Sequence, residues 1–235
     1  MIKFLSRNRH FFLLIGLFLF YALFTLSTTF SWAGPVVLIS FSLVLLASII
    51  SVSTNKKIFS IALLLGVVAL GLDWYVFASH RIDYFLFTLF SKMAVLGFTI
   101  GIMLYKLLED TKEVTLNTIY GSMCVYIMLG IFWGMLFVGV EHLYPGSFYV
   151  QSSNLPFYIH PNNPFPYPFD LFYFSFVTIT TVGYGDIVPA TPLTQSLSAL
   201  EALLGQFYMV ILVARFVGLH IHHHSTSLRE KVLGE

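Results

Sequence analysis

Three observations predict an all-α membrane protein with six transmembrane helices and one short re-entrant helix that leads into a loop. Of the 235 residues 57% are hydrophobic and only 10% charged, too little charge to cover the surface of a water-soluble domain this large. Six apolar runs reach the roughly 17–25 residues that a helix needs to cross a bilayer. A further apolar run, Asp170–Thr180, is too short to cross. It must enter and turn back, which is tolerable at membrane depth only where protein or water surrounds the exposed backbone.

In chain order the spans are expected at Phe11–Ser27, Pro35–Val52, Ile58–Phe77, Ile82–Leu108, Leu116–Val140 and Leu193–Leu219. Of the 12 Lys and Arg residues, all but Arg81 and Lys92 then fall on one side of the membrane. By the positive-inside rule that side is the cytoplasm. A multi-pass protein of the cell membrane with both termini cytoplasmic follows, and the loop after Asp170–Thr180 opens from the outer face.

A lysine inside a span is costly, so Lys92 needs an account: pairing with Asp73 or Asp83, or reaching toward an interface. Cys124, the single cysteine, lies in an apolar run and reads as a small buried residue. Gly97–Gly101 and Gly130–Gly134 are small-xxx-small patterns that allow close helix contact. Between Glu141 and Phe169, Pro145, Pro156, Pro161, Pro164, Pro166 and Pro168 exclude a helix and predict an irregular cap. His142 and His160 in that cap are too isolated for a metal site.

Asp170 follows Pro168 and is placed to cap a helix running inward, whose C-terminal end carries partial negative charge. Next comes Thr178-Ile179-Thr180-Thr181-Val182-Gly183-Tyr184-Gly185-Asp186. Gly183 and Gly185 give the backbone freedom to turn the carbonyls of Thr181, Val182, Gly183 and Tyr184 to one side instead of alternating as in a strand. Several such loops around one axis would stack carbonyl rings able to replace the hydration shell of a bare cation. The motif occurs once, so a ring requires several copies of the chain.

Thr180-Thr181-Val182-Gly183-Tyr184-Gly185-Asp186 resembles the signature filter of the tetrameric potassium-channel family. The resemblance covers about a fifth of the chain, from Asp170 to Leu219. It implies a homotetramer in the bilayer with K+ coordinated at Thr181, Val182, Gly183, Tyr184 and Gly185, the only metal expected. Thr178, Thr180, Asp186 and Tyr173 would support the filter. Tyr173 stands where a tryptophan often bonds the aspartate after Gly-Tyr-Gly, and Val177 where some relatives carry an acid. Gly205 falls at the family's hinge glycine, and Gln206, Met209 and Val213 would line the inner cavity.

The same resemblance divides the chain into three parts. Residues 1–110 form a four-helix membrane unit in the voltage-sensor position. Residues 111–219 form the pore domain of outer helix, cap loop, pore helix, filter and inner helix. Residues 220–235 form a short cytoplasmic tail holding His220, His222, His223 and His224. Each gating charge contributes only about 2.3 kcal/mol per 100 mV, so a voltage sensor needs several. The fourth span offers Arg81 and Lys92 alone, which predicts a channel that is not strongly voltage-gated. The tail is too short for a soluble ligand-binding domain.

Glu201 lies within the last span, where a carboxylate marks function by default. Two roles are open: accepting hydrogen bonds from pore-helix threonines or backbone, or facing the cavity to concentrate cations. A passive potassium-selective channel is the leading expectation. The alternatives are a non-conducting or regulatory pore subunit and a weakly selective cation channel. No nucleophile–base constellation points to an enzyme, no basic run to nucleic acid, and no organic cofactor is expected.

Overall fold

The computed structural model describes residues 9–27, 33–52, 56–79, 84–109, 115–150, 155–156 and 169–233. The first four helices are α1 (Arg9–Ser27), α2 (Ala33–Val52), α3 (Lys56–Ser79) and α4 (Phe85–Glu109). Pro35 falls in the first turn of α2, where the missing N–H is no loss. The expected span Ile82–Leu108 starts late, because the helix begins at Phe85. Arg81, Asp83, Lys112, His160 and the prolines from Pro161 to Pro168 lie outside the described residues.

Five helices among the described residues are long and apolar enough to cross a membrane, where six were expected. The sixth, α2, has Leu38–Ser51 as its described apolar stretch, within a helix of 20 residues that rises about 30 Å, the thickness of the hydrocarbon core.

Helix α5 (Leu116–Leu143) opens on Thr115, whose hydroxyl accepts from the Thr118 N–H at 3.2 Å and satisfies one orphan donor. It closes at Tyr144, and the chain then turns through Gly146 at φ +86. Glu141 holds this turn by accepting from the backbone N–H groups of Gly146 at 2.8 Å and Phe148 at 3.1 Å. The expected irregular cap contains paired backbone instead. Strands β1 (Phe148–Val150), β2 (Leu155–Pro156) and β3 (Ile187–Pro189) form an antiparallel sheet in the order β2-β1-β3. Proline excludes a helix here but not an edge strand, which is where Pro156 and Pro189 sit.

Helix α6 (Phe169–Ile179) is 11 residues long, about 16 Å, and packs between α5 and α7 (Pro192–Leu233). Asp170 lies inside its first turn instead of capping it from outside, still on the side where the helix dipole favours an acid. At the start of α7 the Thr191 hydroxyl accepts from the Thr194 N–H at 3.3 Å, and the Thr194 hydroxyl donates to the Ser147 carbonyl at 3.0 Å. The last helix is 42 residues long, so the expected tail of residues 220–235 continues as helix to Leu233. The reason is local: no glycine or proline follows Gly218 until Gly234. The side chains of the histidine cluster fall outside the described part.

Aromatic rings fix α6 in place. Phe174 meets Phe137 of α5 and Phe148 of β1 edge-on, with centroids 5.3 and 5.2 Å apart. From the other side Phe24 of α1 meets Phe172 at 5.0 Å and Tyr21 meets Phe176 at 5.2 Å. The first helix thus packs on the short helix of its own chain. Gly130 and Gly134 permit the close approach of α5, since a Cβ at either would run into the Phe176 or Phe172 ring. The Gly97–Gly101 pattern makes no such contact: Gly101 has open space and Gly97 an ordinary neighbour in Phe132.

Candidate functional site

The loop after α6 departs from the helix through a fixed set of backbone bonds. The Thr181 N–H donates to the Thr178 carbonyl at 2.9 Å, and the Val182 and Gly183 N–H groups donate to the Val177 carbonyl at 3.0 and 3.3 Å. The Thr180 hydroxyl donates to the Phe176 carbonyl at 2.5 Å. Both threonines expected at this turn take part, Thr180 by its side chain and Thr178 by its backbone.

Beyond this turn φ is positive at every second residue: +60 at Thr181, +59 at Gly183 and +76 at Gly185. For the glycines this is the region they enter without a Cβ penalty. For Thr181, β-branched, it is strained, a state that persists only where the surroundings impose it. The two glycines were legible in the sequence; the threonine was not. Residues 181–186 are exposed on the single chain, with Val182 at 52% and Tyr184 at 71%.

The Tyr173 hydroxyl donates to Asp186 Oδ2 at 2.8 Å, and Asp186 Oδ1 accepts from the Ile187 N–H at 3.1 Å. The pair joins α6 to the chain leaving the loop. Glu201 on α7 is fully buried and faces α6, with its Oε1 2.5 Å from the Ser175 hydroxyl. Its partner is a serine, not one of the threonines considered from sequence, because Ser175 lies on the α7 side of α6. Gly205, one turn on, lies against the Ile179 carbonyl so closely that a Cβ would overlap the oxygen. Helix α7 passes through Gly205 without interruption.

Gln206, Met209 and Val213 are exposed on the single chain. Met209 and Thr180 line one cavity of about 500 Å³, together with Tyr21, Tyr126, Phe176 and Tyr208. Two of these tyrosines escaped sequence reasoning. The Tyr126 hydroxyl donates to the Ile179 carbonyl at 2.9 Å, and the Tyr208 hydroxyl to the Ser122 carbonyl at 2.6 Å. Their rings stack with centroids 5.6 Å apart. Tyrosine is ordinary in membrane helices, so only the loop they serve sets them apart.

Residues 147–220 match the ion channel family model. The matched stretch takes in β1, β2, α6, the loop, β3 and α7 as far as His220, and leaves out the first five helices. The chain is similar to the two-pore potassium channel 4 of Arabidopsis thaliana, 42% identical over 64 residues, which are 27% of this chain and 21% of that protein. It is also similar to the voltage-gated potassium channel of Aeropyrum pernix, 39% identical over 68 residues, 29% of this chain and 22% of that protein. The chain thus covers about a fifth of the length of these relatives. No solved structure matches it. A segment matching the ion channel family and similar to potassium channels, together with several apolar helices, makes this a multi-pass membrane protein.

Proposed function

We propose that the chain is one subunit of a homotetrameric, potassium-selective channel that conducts passively and is not strongly voltage-gated. The observation that carries this is the alternation of φ through Thr181-Val182-Gly183-Tyr184-Gly185, directly after a helix too short to cross the membrane. Such alternation turns successive carbonyls to one side. Four copies around an axis stack them into rings that stand in for the water around K+. Thr181 adds its hydroxyl at the innermost ring. The exposed Val182 and Tyr184 side chains turn away from the ions and gain their packing from assembly.

The names of both relatives include potassium, and the stretch matched by the ion channel family model contains this loop. Helix α6 enters from the outer face as a re-entrant pore helix, with its C-terminal partial charge toward an entering cation. Residues 111–219 act as the pore domain, with α2 completing six spans and both termini in the cytoplasm. Gln206, Met209 and Val213 line the cavity below the filter.

Weak voltage dependence rests on Lys92. Its Nζ lies 2.7 Å from Asp73 Oδ1, both residues are buried, and the ammonium sits 5.4 Å from the Phe41 ring centre. The pair ties α4 to α3, so moving Lys92 through the field would first separate it from its carboxylate, and Arg81 and Lys92 alone are too few for the several gating charges that a sensor needs.

The test is flux from liposomes loaded with potassium. Release of potassium but not sodium, blocked by barium, is the expected result. An assembled tetramer without flux would point to a regulatory subunit, and equal sodium flux to a weakly selective cation channel.

A further inference from the structure

Three helices meet in two layers one turn apart. In the first layer the Ser175 hydroxyl of α6 lies 2.8 Å from the Gly130 carbonyl of α5 and 2.5 Å from Glu201 Oε1 of α7. In the second, the Ile179 carbonyl of α6 accepts from Tyr126 of α5 and abuts Gly205 of α7. Each helix contributes residues four apart: 126 and 130, 175 and 179, 201 and 205. Such pairs stack along one helix face. Ile179 ends α6 and feeds directly into the loop, so these layers fix the peptide on which the loop is built.

Hydrogen counting sets the chemistry of the first layer. A serine hydroxyl carries one hydrogen. The Gly130 carbonyl can only accept, so the hydrogen of Ser175 goes there. Glu201 Oε1 must then be the donor to Ser175, and a carboxyl donates only when it holds a proton. The opposite assignment fails twice. It leaves the Gly130 oxygen facing a Ser175 lone pair, and it leaves a buried carboxylate with a single hydrogen bond. Among the described residues Glu201 Oε2 has no hydrogen-bond partner and no cation pairs with Glu201. A bare oxygen is tolerable on a neutral acid and expensive on an anion.

We infer that Glu201 is a neutral acid that donates to Ser175, which donates to the Gly130 carbonyl, so that it serves as a positioning residue locking α7 and α6 onto α5 beneath the filter. It holds the filter's starting peptide in register and supplies no negative charge to passing cations. This role rests on the potassium-filter reading, whereas the protonation state does not.

The experiment uses the full chain in liposomes at neutral pH. Infrared spectra of wild type and Glu201→Gln are compared for the carbonyl stretch of an un-ionised carboxylic acid, and potassium over sodium flux is measured in parallel. A band present in wild type and lost in Glu201→Gln is expected. In Ser175→Ala and Glu201→Leu, selectivity falls roughly tenfold, the scale of one lost buried hydrogen bond. Glu201→Gln, which keeps an N–H donor at that place, recovers most of what Glu201→Leu loses. Absence of the band in a conducting wild type overturns the neutral acid while leaving the channel reading intact. Unchanged selectivity in both Ser175→Ala and Glu201→Leu overturns the positioning role. A wild type with the band and no flux overturns the channel reading instead.

Discussion

The N-terminal helices and the pore segment bury their polar groups by different means. Between α3 and α4, Lys92 and Asp73 bring opposite charges together in a buried ion pair. Around α6, Tyr126, Ser175, Glu201 and Gly130 share hydroxyl, carboxyl and carbonyl groups across three helices. A buried ion pair is costly to break and adds little positional detail. A set of directional hydrogen bonds fixes the position of every member. The first arrangement suits a helix that has only to stay in place, the second a loop whose carbonyls must be held in register.

Substitutions in the loop, at the ion pair and around α6 separate the two regions. Gly183→Ala and Gly185→Ala strain a left-handed backbone by about 1–2 kcal/mol each. They should abolish potassium flux while the protein still inserts and assembles, as flux and size-exclusion measurements will show. Lys92→Met strands Asp73 and should lower stability by about 3–5 kcal/mol, read from unfolding in detergent. The double change Lys92→Met with Asp73→Leu should restore most of it, and folded protein should conduct as before. Should Lys92→Met instead leave stability intact and alter voltage dependence, the contrast between the regions collapses.

Gly205→Ala pushes a methyl group into the Ile179 carbonyl, an overpacking expected to cost about 1–3 kcal/mol. Its second signature is lost selectivity, because the displaced peptide leads into the filter. A hinge alone predicts altered opening with stability unchanged, so the two measurements tell the roles apart. Tyr173→Phe removes only the hydroxyl bond to Asp186. It should reduce potassium selectivity slightly and leave the melting temperature of the assembled protein where it was.

Local chemistry made much of this legible in the sequence. The apolar runs placed the helices to within a few residues, the C-terminal end of α7 excepted, and the short run at Asp170 marked α6. Alternation of Gly183 and Gly185 marked the loop. Contacts between distant segments could not be read in the same way. Ser175 looks like any small polar residue in an apolar helix until Glu201, 26 positions away, is brought against it. Lys92 had two candidate acids, and only the packing of α3 on α4 selects Asp73. The strands around Glu141 escaped because a run of prolines argues against helix without specifying what replaces it. The helical extension to Leu233 escaped because charged and histidine-rich sequence reads as solvated tail, although nothing in it breaks a helix.

Residues 181–185 are proposed to form a potassium filter. Current through purified protein in a planar bilayer, with potassium on one side and equal sodium on the other, tests it most directly. The expected result is a reversal potential displaced strongly toward that of potassium, and no such current from Gly183→Ala protein. A reversal potential near zero, or a potassium-selective current that survives Gly183→Ala, would contradict it.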